Sequence, residues 1–229
     1  MLKYLLNVIS PAVCPSCEKS RTVYPLPVCG GCYYSIQART DDADMLREKD
    51  PEKIDPDNST SPLKSEYSCL DYTRAVRCCV KSFKFYGNRD LIPLFRKTIG
   101  SYIIRSGLRK QGFDIILPVP LHRSRERKRG YNQSAMLGEI VSAFLSIPAY
   151  SEILIKDKNT SPQSALRKSE RRVNLKGSFT VVNSSLIEKK NILIVDDVTT
   201  TGATVDECAY TLMKAGASSV SALTLARVR

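Results

Sequence analysis

A chain of 229 residues with 42% hydrophobic content can build one sizeable α/β domain and a small accessory module, so a wholly disordered protein is excluded. No apolar run approaches the roughly 18 residues needed to cross a bilayer, and no transmembrane segment is expected. The net charge of +12 favours a polyanionic ligand such as phosphate, pyrophosphate or nucleic acid, although a basic solvated surface gives the same total.

The N-terminus reads MLKYLLNVIS, with Leu2, Leu5, Leu6 and Ile9 at helical spacing. Its apolar stretch is only about six residues and lacks a small-residue cleavage site. An amphipathic helix is expected there rather than a secretory signal, and hence a cytoplasmic location. Next come Cys14, Cys17, Cys29 and Cys32, spaced C-x2-C-x11-C-x2-C. Two such pairs close on one tetrahedral ion because each makes a tight knuckle offering two thiolates. A structural Zn2+ is expected. Two disulfides and four buried free thiols are the alternatives, and disulfides are disfavoured in a chain without a secretory signal. With every ligand supplied by the chain, no metal catalysis is expected. Cys69, Cys78, Cys79 and Cys208 lack such spacing and read as core or incidental cysteines.

Residues 1–35 thus read as a zinc-binding module. Residues 36–66 are polar, with eight acids against three bases across Asp41–Asp57, and read as a linker or insertion. Residues 67–229 alternate helical and strand patterns. Val76, Cys79, Val80 and Phe83 share a helical face that Gly87 ends. Asp90–Arg105 is a second amphipathic helix, and Phe113–Leu117 a short strand. Leu121–Tyr131 is a basic loop, with five bases against Glu126. Asn132–Leu145 is a helix with Met136, Leu137, Ile140, Val141 and Phe144 inward. Residues 152–155 and 178–182 are short strands flanking a second basic segment, Lys156–Arg172. Asn191–Val195 is a buried central strand, Ala203–Lys214 a helix, and Ser218–Ala226 a last strand. Such alternation implies a mostly parallel sheet covered on both faces.

The central strand runs into Asp196, Asp197 and then Thr199, Thr200, Thr201, Gly202, Ala203 and Thr204. Strand ends of a doubly wound sheet face a ligand crevice. Backbone N–H groups and the helix dipole make the Thr turn an anion site, and Gly202 lets the backbone approach closely. Carboxylates beside a phosphate accept hydrogen bonds from hydroxyls or hold a cation. A sugar phosphate meets both demands. An ordinary turn with capping acids explains the pattern less well, since capping needs one acid. The earlier strand end offers the Val119 backbone with Arg125, Arg127 and Arg129 to a pyrophosphate, or a solvated charge run. Asn132 belongs to that site or caps the next helix. The single histidine, His122, leaves little room for His-based catalysis.

The stretch ILIVDDVTTTGAT resembles the phosphoribosyl pyrophosphate (PRPP) loop of type I phosphoribosyltransferases. LPVPLHRSRERKRGYNQS (117–134), SPQSALRKSERRVNLKGSF (161–179) and VKSFKFYGN (80–88) resemble the ComF family, associated with natural competence and DNA uptake. The resemblance covers residues 1–35 and about 67–229. It departs at Arg123, where a Pro is expected, and at Cys69, where relatives carry a further Cys pair. It implies a type I phosphoribosyltransferase-like α/β domain with an N-terminal zinc module. It also implies Mg2+ bound with PRPP and ribose hydroxyls on Asp196 and Asp197. Gln163, Arg171 and Asn174 would lie in a hood over PRPP, with Arg171 neutralising the leaving pyrophosphate. Lys84 matches a family lysine, or is a helix-end lysine favouring the dipole. The implied partners are single-stranded DNA and a competence helicase, at uptake machinery on the inner membrane. Tyr131, Tyr33 or Tyr34 could stack bases, a buried core Tyr being the alternative for each. Three readings stay open: a phosphoribosyltransferase acting on PRPP, an inactive PRPP- or nucleotide-sensing module that binds single-stranded DNA, and a salvage enzyme unrelated to DNA uptake.

Overall fold

The computed structural model describes residues 13–19, 22, 27–38, 46–48, 61–158 and 175–228. The expected N-terminal helix and the hood residues Gln163, Arg171 and Asn174 lie outside them. Helix α1 spans Gly30–Ala38. Strands β1 (Leu46–Glu48) and β2 (Ser65–Asp71) follow, then helices α2 (Arg74–Tyr86) and α3 (Ile92–Ser106). Strand β3 (Ile115–Pro118) leads to α4 (Arg123–Arg129) and α5 (Gln133–Leu145). Short strands β4 (Leu154–Lys156) and β5 (Phe179–Val181) precede β6 (Asn191–Thr199), α6 (Ala203–Lys214) and β7 (Ser219–Arg227).

Five strands form the central sheet in the order β1-β2-β7-β6-β3. All pairings are parallel except β1 on β2. The expected mostly parallel sheet with helices on both faces is therefore present, and β4 pairs with β5 in a separate antiparallel ribbon. Strand side chains alternate between faces. Leu193, Val195, Leu223 and Leu225 pack with α2, α3 and α5. Ile192, Ile194, Val220 and Ala222 pack with α6 and the ribbon.

The helix boundaries follow local chemistry. Thr73 caps α2 by accepting the Val76 N–H, and left-handed Gly87 closes it. Val76, Cys79, Val80 and Phe83 are its buried face, as the spacing requires. Burying each large apolar side chain contributes about 1.5–3 kcal/mol. Asn132 caps α5 through the Ser134 N–H at 3.0 Å.

Four differences from the sequence reading matter. The basic stretch Arg123–Arg129 is a helix, not a loop. His122 caps it, accepting the Ser124 N–H on Nδ1 at 3.3 Å, and Arg, Lys and Glu are good helix formers. Strand β6 runs on through both acids to Thr199, because its ladder with β7 continues to Arg227. Strand β2 begins at Ser65, where polar residues hide the pattern. Strand β1 lies inside the stretch read as a linker, since edge pairing on β2 needs no apolar periodicity.

Helix α5 approaches β3 closely at Gly138, where an added Cβ would lie 2.8 Å from Pro118 Cγ. Gly138→Leu should therefore push on the β3 end that leads to Val119. We expect a loss of about 1–3 kcal/mol, read by calorimetry as a fall of roughly 5 °C in Tm for a chain of this size.

Candidate functional site

The carboxyl ends of β3 and β6 open into a cleft of about 980 Å³, walled by α2, α4 and the start of α6. Asp196 and Asp197 lie at its base, 8% and 2% exposed. Successive strand residues project to opposite faces, and the two acids reach different partners. Asp196 Oδ1 accepts Ser134 Oγ–H at 2.7 Å, from the first turn of α5, and the Asp197 N–H at 2.8 Å. Asp197 Oδ2 lies 2.8 Å from Lys84 Nζ, near the end of α2. Its Oδ1 accepts the Val198 N–H at 2.8 Å and a second Lys84 contact at 3.2 Å.

These surroundings set the charges. Burial first, and the Asp197 charge second, raise the Asp196 carboxyl to about 7, opposed by Lys84 and the Ser134 hydroxyl. Burial would lower the Lys84 ammonium, but Asp197 and Asp196 more than offset it, and its pKa lies above the ordinary lysine value. Lys156 also faces the cleft. Burial and then Arg125 push its pKa down, a strain that a bound anion relieves.

After β6 the chain turns through Thr200–Gly202 into α6. Gly202 has φ 80°, a left-handed conformation that excludes most side chains, and α6 carries no side-chain cap. The Ala203 N–H donates to Thr201 Oγ1 at 3.4 Å, and the other amides at the start of α6, with the helix dipole, suit an anion. Thr199, Thr200, Thr201, Gly202, Ala203 and Thr204 all line the cleft.

The structure also brings Lys84, Val119, Arg125 and Arg129 to the cleft. Val119 has its backbone committed, its N–H donating to Val195 O and its C=O accepting Asn132 Nδ2–H. That leaves no Val119 amide for a pyrophosphate. Arg127 is exposed and absent from the lining, because helical spacing turns it away from Arg125 and Arg129 and puts Lys128 in its place. Arg171 lies outside the described residues. Sequence reasoning missed Arg77 and Lys81. With Lys84 and Phe85 they form a stripe on α2, and the i, i+4, i+8 spacing of 77, 81 and 85 was the available signal. Seven cationic side chains face two acids in the lining. Arg129 also stacks over the Phe85 ring at 5.4 Å. Tyr131 is braced rather than open, its hydroxyl donating to Phe83 O and its ring lying 5.5 Å from that of Phe83. Phe85 and Tyr34 are exposed aromatics, at 64% and 73%.

A second cluster sits on the other side of α2. The Sγ atoms of Cys14, Cys17, Cys29 and Cys32 lie within 4.8 Å of one another and form no disulfide. Cys17 and Cys29 Sγ are 3.8 Å apart, the edge of a tetrahedron with metal–sulfur bonds of about 2.3 Å. The Cys29 N–H donates to Cys14 Sγ at 3.2 Å, which ties the second pair to the first. The cluster can hold a metal ion. It docks on the domain, since Cys14, Val28 and Ile36 share the core of α2 and α3.

Asp196 makes the stability pH-dependent. Below about pH 4, folded and unfolded states both carry the proton. Between that pH and about 7 only the folded state keeps it, so stability falls as pH rises, and the cost is complete above about 7. Asp196→Asn keeps the Oδ1 acceptor and removes the cost. Its unfolding free energy should exceed that of the unsubstituted protein by more at pH 8 than at pH 5, the gap reaching up to a few kcal/mol at ~1.4 kcal/mol per pKa unit, and denaturant titration at the two pH values reads it.

No protein-family model matches the chain. Solved structures similar to it include a purine phosphoribosyltransferase from Pyrococcus horikoshii, 18% identical, covering 59% of this chain and 73% of that one at a TM-score of 0.39. A hypoxanthine phosphoribosyltransferase from Staphylococcus aureus is 18% identical over 58% of this chain and 63% of that one, at a TM-score of 0.38. Among curated proteins, competence protein F of Haemophilus influenzae is 27% identical over 97% of this chain and 93% of its own. The DNA utilization protein YhgH of Escherichia coli O157:H7 is 28% identical over 94% and 84%. Competence protein ComFC of Bacillus subtilis is 30% identical over 94% of this chain and 84% of its own, and by that likeness the chain belongs to the ComF family.

Proposed function

We propose that the cleft binds the ribose phosphate of PRPP and that the protein handles single-stranded DNA during DNA uptake. One observation carries the reading: the acid pair, the start of α6 and seven cationic side chains converge on one cleft. The 5′-phosphate would rest on the amides and hydroxyls of Thr199–Thr204. The ribose hydroxyls would donate to Asp196 and Asp197. A pyrophosphate group would meet Arg125, Lys128 and Arg129 on one face of α4. The basic faces of α2 and α4 also suit a strand of nucleic acid, with Phe85 exposed beside them as a stacking surface. The names of the relatives, competence proteins and a DNA utilization protein, support the role in uptake.

The resemblance implies Mg2+ with PRPP. The acid pair does not fit such an ion as it stands, because Asp197 is already paired with Lys84 and Asp196 keeps its proton part of the time near neutral pH. The chemistry of binding therefore rests on the chain's own groups. If transfer occurs, they orient the ribose and stabilise the departing pyrophosphate by fixed charge. Arg171 in a hood over the cleft and a competence helicase as partner remain part of this proposal, as does the division into a module of residues 1–35, a connecting 36–66 and a domain of 67–229.

The cysteine cluster fits Zn2+, and we assign it a structural role, since four thiolates leave no open position. Cys14→Ser or Cys29→Ser should lose one zinc per chain by elemental analysis and make the module protease-sensitive, because structural thiolate sites contribute on the order of 10 kcal/mol. Zinc-free protein that keeps the module folded would refute the assignment.

Calorimetry with PRPP tests the cleft. Asp196→Asn/Asp197→Asn should keep the fold and lose PRPP affinity. Replacing Arg125, Lys128 and Arg129 together by Ala should weaken both PRPP and single-stranded DNA. It should also flatten the salt dependence of DNA binding, by about 0.7 in slope for each phosphate no longer neutralised. PRPP should compete with DNA. Unchanged PRPP binding in the acid-pair variant would overturn the site. Independent binding of both ligands would overturn the shared cleft.

A further inference from the structure

The ion pair between Lys84 and Asp197 decides what the acid pair can accept. Lys84 Nζ spans both oxygens of Asp197, at 2.8 and 3.2 Å. Its side chain is 27% exposed against 3% for Asp197, so the ammonium faces the cleft while the carboxylate lies beneath it. The lysine is held from below. Helix α2 is anchored by Val76, Cys79, Val80 and Phe83, and Phe83 packs edge-on against Phe95 at 5.2 Å. Lys84 thus sits on a rigid element, one residue from a buried anchor, and not at the end of a wandering loop.

A divalent ion and a hydroxyl make different demands on such a carboxylate. A carboxylate has about four acceptor positions, so a neutral hydroxyl can donate beside the ammonium without removing it. A metal ion needs the oxygens that Lys84 already spans, and it must displace a tethered cation. It must also enter a cleft lined by Arg77, Lys81, Arg125, Lys128, Arg129 and Lys156. Their charges repel a free cation and attract the phosphate of a hydroxyl-bearing ligand.

We propose that Lys84 is a built-in cation that occupies the place of a divalent ion on Asp197 and reserves that carboxylate for hydroxyl donors. This rests on the ribose phosphate reading only for the identity of the hydroxyl donor. Lys84 acts on the ligand through Asp197 and is a positioning residue. The consequence is that a sugar phosphate binds without a divalent cation, in a cleft whose acids would otherwise recruit one.

Two titrations on the full, zinc-loaded chain test it. The first uses Mn2+ alone, followed by electron paramagnetic resonance. The unsubstituted protein should show no Mn2+ site that Asp197→Asn removes. Lys84→Met should gain one, and adding Asp197→Asn should abolish it. Lys84→Gln serves if the Met variant folds poorly, and Lys84→Arg should behave as the unsubstituted protein does. The second titration uses ribose 5-phosphate, by calorimetry, in buffer freed of Mg2+ and in Mg2+. The unsubstituted protein should change by less than about threefold, and Lys84→Met should weaken about tenfold without Mg2+ and recover in Mg2+, as expected for replacing one contact cation by another. A Mn2+ site in the unsubstituted protein that depends on Asp197 overturns the proposal, as does failure of both Lys84→Met and Lys84→Gln to gain one. If ribose 5-phosphate binds in neither buffer, the ribose phosphate reading fails, while the Mn2+ titration still decides the role of Lys84.

Discussion

The parallel ladder between β6 and β7 runs from Asn191 opposite Ser219 to Thr199 opposite Arg227, and the cleft hangs on it. An ordinary strand would release the chain to solvent soon after its apolar run. Here the pairing carries two acids with it, and both end up buried. Once they are in the ladder, their directions are set by the pleat, and each must find its own partner. Asp196 finds the start of α5 and Asp197 finds α2. The Thr turn then begins at a position the ladder dictates, and α6 starts beside the same space.

Burying adjacent carboxylates opposes folding, and the remedy is built from elements far apart in the chain. Lys84 lies more than a hundred positions before Asp197, and Ser134 more than sixty before Asp196. The apolar core meets the rest of the cost: Ile192, Leu193, Ile194 and Val195 are buried immediately before the acids. Such an arrangement trades stability for a site that is already assembled when a ligand arrives. The surplus of cations around the cleft is the same trade in the opposite sign, since crowded cations repel one another.

Helix α2 joins the two clusters of chemistry. Ser16, between the first two cysteines, donates to the Ala75 carbonyl in its first turn at 3.4 Å. Lys84 projects from its last turn into the cleft. Lys97 of α3 adds a hydrogen bond to the Tyr33 hydroxyl at 2.6 Å, so the cysteine module is seated on both helices. The module therefore belongs to the scaffold that holds Lys84 in place.

Much of this was legible in the residues. The apolar period placed α2 and α5, and an unbroken apolar run placed β6, because such patterns are local properties. The C-x2-C pairs announced a four-thiolate cluster, because spacing alone lets two knuckles close on one point. The acid pair and the Thr turn were readable because a strand end leading into a helix start is a local motif with a known dipole. Tertiary structure decided the rest. A run of arginines carries no apolar period, so only a capping histidine and helix propensity reveal α4, and only its helical turn separates Arg127 from Arg125 and Arg129. Charge composition cannot say which bases share a wall, and Arg77 and Lys81 joined the cleft through the packing of α2. Strand β1 exists only because an edge was available to pair with. The contact between Lys84 and Asp197 is a distance across the fold, and no local pattern encodes it.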